Sequence, residues 1–86
     1  MHYVYVLQSQ IKENWLYVGK TSDLNSRFIR HNRGLVKSTK AYKPYTLVYY
    51  EAYLSKKDAS KREIDLKKHQ NKDMLKEQIT FSLEVS

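Results

Sequence analysis

The sequence predicts a small α/β domain of the α+β kind, a three-stranded and mainly antiparallel sheet flanked by helices in the order β-β-α-β-α-α. Three observations predict it. Two short aromatic and β-branched runs, residues 3–7 and 15–20, stand close enough to pair as a hairpin; a third such run covers 45–53; and between and after them the apolar spacing changes to that of helices. At 86 residues the chain reads as one domain, 1–86, small enough that folding buries about 60 to 65% of its unfolded surface.

Each element has a local reason. Tyr3-Val4-Tyr5-Val6-Leu7 is a strand by composition, the polar stretch from Gln8 to Asn14 is a turn, and Trp15 to Lys20 is the returning strand. Gly19 near its end marks a bulge or a close backbone approach. Thr21-Ser22-Asp23 starts a helix, with a hydroxyl to cap the free amides and an acid in the first turn, and Gly34 stops it. At 100° per residue, Leu24 and Phe28 define its buried stripe, His31 lies near the centre and Arg27 along the edge.

A basic loop from Leu35 to Pro44 leads to the third strand. Ser55 with Asp58 three residues on resembles a capping box for a second helix, on which Ala59, Glu63, Leu66 and Gln70 share a face. Asn71 is expected to cap a third helix through Gln78, and the alternation of Ile79, Phe81, Leu83 and Val85 suggests a short final strand.

Composition narrows the functions. The net charge is +7, and residues 20–43 hold seven basic residues against Asp23 alone. Concentrated positive charge is the footprint of a polyanion, because neutralising phosphates releases counterions; Lys20, Arg30, Arg33, Lys37, Lys40 and Lys43 are the candidate nucleic-acid contacts. The absence of cysteine removes disulfides and thiolate metal sites, and only two glycines leave no phosphate-binding glycine loop. No run suits a signal peptide or membrane span, so a soluble cytoplasmic protein is expected.

Glu63 is the sharpest anomaly. A carboxylate between Ala59 and Leu66 on an inward face requires a divalent cation or an arginine, or else it pairs with Lys67 while the helix turns toward Ile64. Arg27 either lies solvated or aims a planar fork at a phosphate. His31 is a satisfied histidine at the core edge, a proton-transfer group or a phosphate contact. Tyr5 and Tyr17 sit on strands that pair, so their hydroxyls can converge; a phenol becomes a base only beside a cation such as Lys20 or a metal-bound water. Tyr49, Tyr50 and Tyr53 read as packing. Any catalytic metal is then a hard ion, Mg²⁺ or Mn²⁺, held by Glu63 with waters and phosphate oxygens.

In order and spacing these residues resemble the GIY-YIG nuclease superfamily, in particular its small single-domain YhbQ-like members. Tyr3-Val4-Tyr5 stands where the first tripeptide belongs, Tyr17-Val18-Gly19 where the second does, Arg27 with His31 looks like the helix motif, and Glu63 after Arg62 looks like the metal-binding glutamate. The match runs from residue 3 to about 70, leaving 71–86 as a C-terminal extension. Tyr3 replaces the glycine that names the first motif.

The resemblance implies a metal-dependent endonuclease acting on DNA, branched or damaged DNA of the kind met in repair among the options. One Mg²⁺ (or Mn²⁺) would sit on Glu63, Arg27 would stabilise the transition state, and a water activated through Tyr5 or Tyr17 would attack with Lys20 and His31 assisting. A protein partner supplying specificity is a further expectation from the superfamily. Two other readings stay open: a nucleic-acid-binding module without turnover, and an adapter for a protein partner. The inward carboxylate favours the enzyme, since it repels DNA unless a cation lies between them.

Overall fold

Every residue from Val4 to Leu7 is apolar and buried, and the computed structural model, which describes residues 1–84, shows why. The run lies in β1 (His2–Ser9), the central strand of a sheet, covered on both faces. β2 (Leu16–Thr21) and β3 (Tyr45–Tyr53) pair with it antiparallel on either side. Alternation assigns the faces: Val4 and Val6 point one way, Tyr5 and Leu7 the other. A bulge falls in the β1–β3 pairing between Val6 and Leu7, so the register shift lies there and not at Gly19.

On the tyrosine face sits α1 (Leu24–Asn32), with Leu24 and Phe28 against Tyr5, Leu7 and Tyr45. Its N-cap is Asp23, whose carboxylate accepts from the Ser26 amide, so the cap is the acid and not the expected hydroxyl, and the first turn holds no acid; the Thr21 hydroxyl accepts from the Asp23 amide. Gly34, at φ +75°, ends the helix in the left-handed region, as expected of a stop. The basic loop is organised around buried Val36 and Thr39, with one 3₁₀ turn at Lys40–Tyr42, and the Tyr45 hydroxyl donates to the Thr39 carbonyl.

The valine face is covered by α2 (Lys56–Lys67), α3 (His69–Gln78) and α4 (Thr80–Glu84). Ala59, Leu66, Leu75 and Ile79 close on Val4, Val6, Leu16 and Val18 to make the larger core. Ser55 caps α2 by accepting from the Lys57 amide.

Three further expectations are corrected. Gln70 belongs to α3, because Lys68 takes an extended ψ of 135° and breaks the helix before it. Asn71 does not cap α3; it lies inside that helix, and its side chain donates to the Asp65 carbonyl, closing the end of α2. The final segment is a helix, not a strand: Ile79 is buried and Leu83 half-buried one turn apart, while Phe81 between them is 82% exposed. The true period is four, and the Thr80 hydroxyl donates back to the carbonyls of Lys76 and Glu77. Val85, the last residue of the supposed alternation, lies outside the described residues. Among the described residues no helix is long and apolar enough to cross a membrane.

Candidate active site

Gly19 stands directly opposite Tyr5 in the β1–β2 ladder. A Cβ built on Gly19 would fall 2.5 Å from Tyr5 Cζ, closer still to its hydroxyl, and 3.0 Å from a Tyr17 ring carbon. The glycine is therefore the gap through which the Tyr5 ring crosses toward β2, the outer strand, and the tyrosines meet there with ring centroids 6.4 Å apart.

Behind Tyr5 lies a directed chain of hydrogen bonds. Its hydroxyl is 2.7 Å from His31 Nε2, and His31 Nδ1 is 2.7 Å from Thr39 Oγ1, which donates in turn to the Val36 carbonyl at 3.4 Å. Because the Thr39 proton is committed to Val36, its oxygen accepts from Nδ1–H. Nε2 is then the bare nitrogen, and Tyr5 donates to it. Burial holds His31 down at about 4, with the charges of Arg27 and Arg30 adding to the effect, so the imidazole is neutral as this chain requires. His31 and Thr39 are fully buried, which rules out His31 as a direct phosphate contact. Burial also pushes the Tyr5 phenol up; Arg27 opposes the shift, and Tyr17 and Glu63 reinforce it.

Arg27, from the middle of α1, lies beside the Tyr5 hydroxyl and is also a wall of an open cleft of about 380 Å³. Lys20, His2 and Lys56 join it there. Lys20 projects from the end of β2 and donates to Ser60 Oγ on α2 at 2.6 Å. Of the residues expected to contact nucleic acid, only Lys20 lines this cleft; Arg30, Arg33, Lys37, Lys40 and Lys43 are exposed elsewhere on α1 and its following loop.

Glu63 lies one helical turn beyond Ala59, itself a wall of the cleft. Its side chain is 17% exposed and pairs with Lys67 at 3.5 Å, while remaining within electrostatic reach of Tyr5. Ile64 is 61% exposed, so the helix is not turned toward it and Glu63 faces inward. The roll of α2 is fixed by a neighbour that sequence reasoning missed. Arg62 makes two bonds, of 2.8 and 2.9 Å, to the Glu51 carboxylate of β3, which also accepts from the Tyr49 and Tyr53 hydroxyls. Burial alone would raise the Glu51 carboxyl, but Arg62 and the two hydroxyls outweigh it and hold it below the usual range. The available signal was the strand's alternation, which puts Glu51 on one face with the two tyrosines.

His2, Lys56, Ser60 and Thr39 were missed as well. His2 shares the face of Val4 and so was traceable from the strand period, whereas nothing marks Thr39 within a run of lysines. Tyr3, in place of the glycine, keeps extended pairing with Thr21 and Ala52 and packs edge-on against Tyr50 at 6.1 Å.

For a divalent cation the site offers one inward carboxylate. Among the described residues no group of three or more His, Asp or Glu side chains comes together. A hard ion that keeps most of its waters and takes phosphate oxygens suits such a donor better than zinc, for which the described residues offer no cluster of ligands.

Comparison with known proteins bears on the same residues. A family model described as the GIY-YIG catalytic domain matches residues 1–77. A UPF0213 protein of Staphylococcus epidermidis is 40% identical over 76 residues, covering 87% of this chain and 90% of that protein, and one of Staphylococcus haemolyticus matches to the same extent. A UPF0213 protein of Staphylococcus aureus is 38% identical over the same coverage. No solved structure matches the chain.

Proposed function

The chain belongs to the GIY-YIG family, in its small UPF0213 group, and on that premise we propose that it is a single-domain, metal-dependent endonuclease hydrolysing phosphodiester bonds of DNA. The observation that carries this reading is that Tyr17, Arg27 and inward Glu63 all lie within electrostatic reach of the Tyr5 hydroxyl, beside a cleft walled by basic groups.

In this reading the scissile phosphate enters the cleft, where Arg27 can hold two of its oxygens and stabilise the charge that builds as the pentacoordinate state forms. Lys20 and Lys56 supply further positive charge. Glu63 would hold Mg²⁺ or Mn²⁺, which supplies Lewis-acid polarisation of the phosphate and charge neutralisation at the leaving oxygen. The attacking water must touch a tyrosine. Tyr5 is 1% exposed and its proton is committed to His31, whereas Tyr17 is half-buried and open to solvent. Tyr17 therefore contacts the water, and Tyr5, His31 and Thr39 position it.

The test uses labelled linear, nicked and branched DNA with Mg²⁺ or Mn²⁺ and with chelator. Metal-dependent cutting that is lost in Arg27→Ala and in Glu63→Ala supports the enzyme. Binding without cutting of any substrate by the unaltered protein would sink it and leave the non-catalytic binding module.

A further inference from the structure

A second groove, of about 440 Å³, runs along the outer side of β2. One wall is residues 14–18, the exposed edge of the sheet; the other is Lys67, Lys72 and Lys76. We propose that this groove carries the sugar-phosphate backbone of the nucleic-acid strand leading to the active site, a proposal that rests on the nuclease reading above.

Continuity is the first argument. Tyr17 belongs both to the tyrosine pair of the site and to the groove, and Lys67 lines the groove while pairing with Glu63. A strand whose phosphate reaches Arg27 can thus continue past Tyr17 without leaving positively charged surface.

Charge is the second. Lys72 and Lys76 lie one turn apart on α3, about 6 Å along its axis. Neither ammonium is in an ion pair among the described residues. Like charges at this spacing repel by a few tenths of a kcal/mol, a cost that an anion lying between them removes. The third argument is the wall opposite. Residues 14–18 line it along the free edge of β2, where backbone amides that have no partner strand can donate to phosphate oxygens, while the Trp15 and Tyr17 rings pack on the other face against Tyr42 and His31. These lysines escape a count of net charge because acidic neighbours balance them in sequence, while the fold turns the lysines toward β2.

The test is binding, read in chelator so that cutting does not enter. Fluorescence anisotropy with a labelled oligonucleotide of about 20 nucleotides, single-stranded and as duplex, is measured across a salt series for the unaltered protein and for Lys72→Gln with Lys76→Gln. A second double variant, Lys57→Gln with Lys61→Gln, removes the same charge from the solvent face of α2. Thermal melts confirm that both variants fold. The expected result is affinity at least about tenfold lower at about 0.1 M salt for the groove variant, with the slope of log K against log salt reduced by about 1.4 to 1.8. The α2 variant should lose less than half as much.

An unchanged slope in the groove variant would overturn the groove while leaving the nuclease reading intact. Equal losses in the two variants would do the same, since the effect would then be net charge alone. A poly-glutamate peptide that binds as tightly as the oligonucleotide, through the same lysines, would reassign the groove to an acidic protein. Absence of any binding by the unaltered protein, in chelator and with Mg²⁺ alike, would overturn both proposals together.

Discussion

Tyr5 and Gly19 depend on each other, since the ring occupies the space that any side chain at 19 would need. Gly19→Ala forces the Tyr5 ring to move, and overpacking of this kind costs about 1–3 kcal/mol; urea denaturation should read that loss together with reduced cutting. Tyr5→Phe removes the donor to His31 Nε2, leaving a buried acceptor unsatisfied, and should cost about 1–3 kcal/mol. Tyr17→Phe, at a half-buried hydroxyl, should leave stability within about 0.5 kcal/mol of the original while lowering the cleavage rate about 10²-fold or more. The reverse pattern, with Tyr5→Phe kinetically severe and Tyr17→Phe silent, would make Tyr5 the water contact.

His31 adds a pH dependence with a defined sign. Its pKa is lowered from 6.5 to about 4 on folding, so between these values the unfolded chain binds a proton that the folded chain refuses. The stability contribution is full above about pH 6.5 and is lost as pH falls through about 4, some 3 kcal/mol in all. Urea midpoints measured from pH 7 to 4 should fall accordingly, and His31→Gln should flatten the part of that slope that belongs to His31.

For the elements, the ion pair between β3 and α2 matters most, because Arg62 precedes Glu63 and fixes which way the helix faces. Arg62→Ala leaves the Glu51 carboxylate with only its two tyrosine donors. It should cost about 2–3 kcal/mol, below the range for fully buried pairs since the Arg62 side chain is 35% exposed. Thermal melts of Arg62→Ala beside Lys67→Ala, which removes a half-exposed lysine from a longer pair of 3.5 Å and should cost less, would check this. The strands and the starts of α1 and α2 were readable in the sequence because β-branched runs, Ser55 and Asp23 act locally. The Glu51 to Arg62 pair joins residues eleven apart across two elements, so no local pattern reveals it beyond the face Glu51 shares with the tyrosines. The final helix was misread because four residues fit a period of two as well as the helical spacing of Ile79 and Leu83; burial decides between the two, and burial belongs to the fold.

Across the whole molecule, the sequence placed the polyanion footprint in residues 20–43, and folding redistributes it. Lys20 and Arg27 reach the cleft, where His2 and Lys56 from distant segments join them, while the lysines of the loop point elsewhere. The candidate residues were legible as motif residues, and the fold brings Tyr5 and Tyr17 into ring contact with Arg27 and Glu63 in electrostatic reach of Tyr5. Their supports, Thr39 behind His31 and Ser60 beneath Lys20, depend on long-range packing and were not. The central claim is that this site cleaves a phosphodiester through a cation held by Glu63, and single-turnover cleavage of a labelled DNA by the unaltered protein and by Glu63→Gln, across a Mg²⁺ titration, tests it most directly. The account predicts saturable metal dependence for the unaltered protein and a rate at least about 10²-fold lower for Glu63→Gln with the same melting behaviour. Equal cleavage by the two proteins, or cleavage undiminished in chelator, would contradict it.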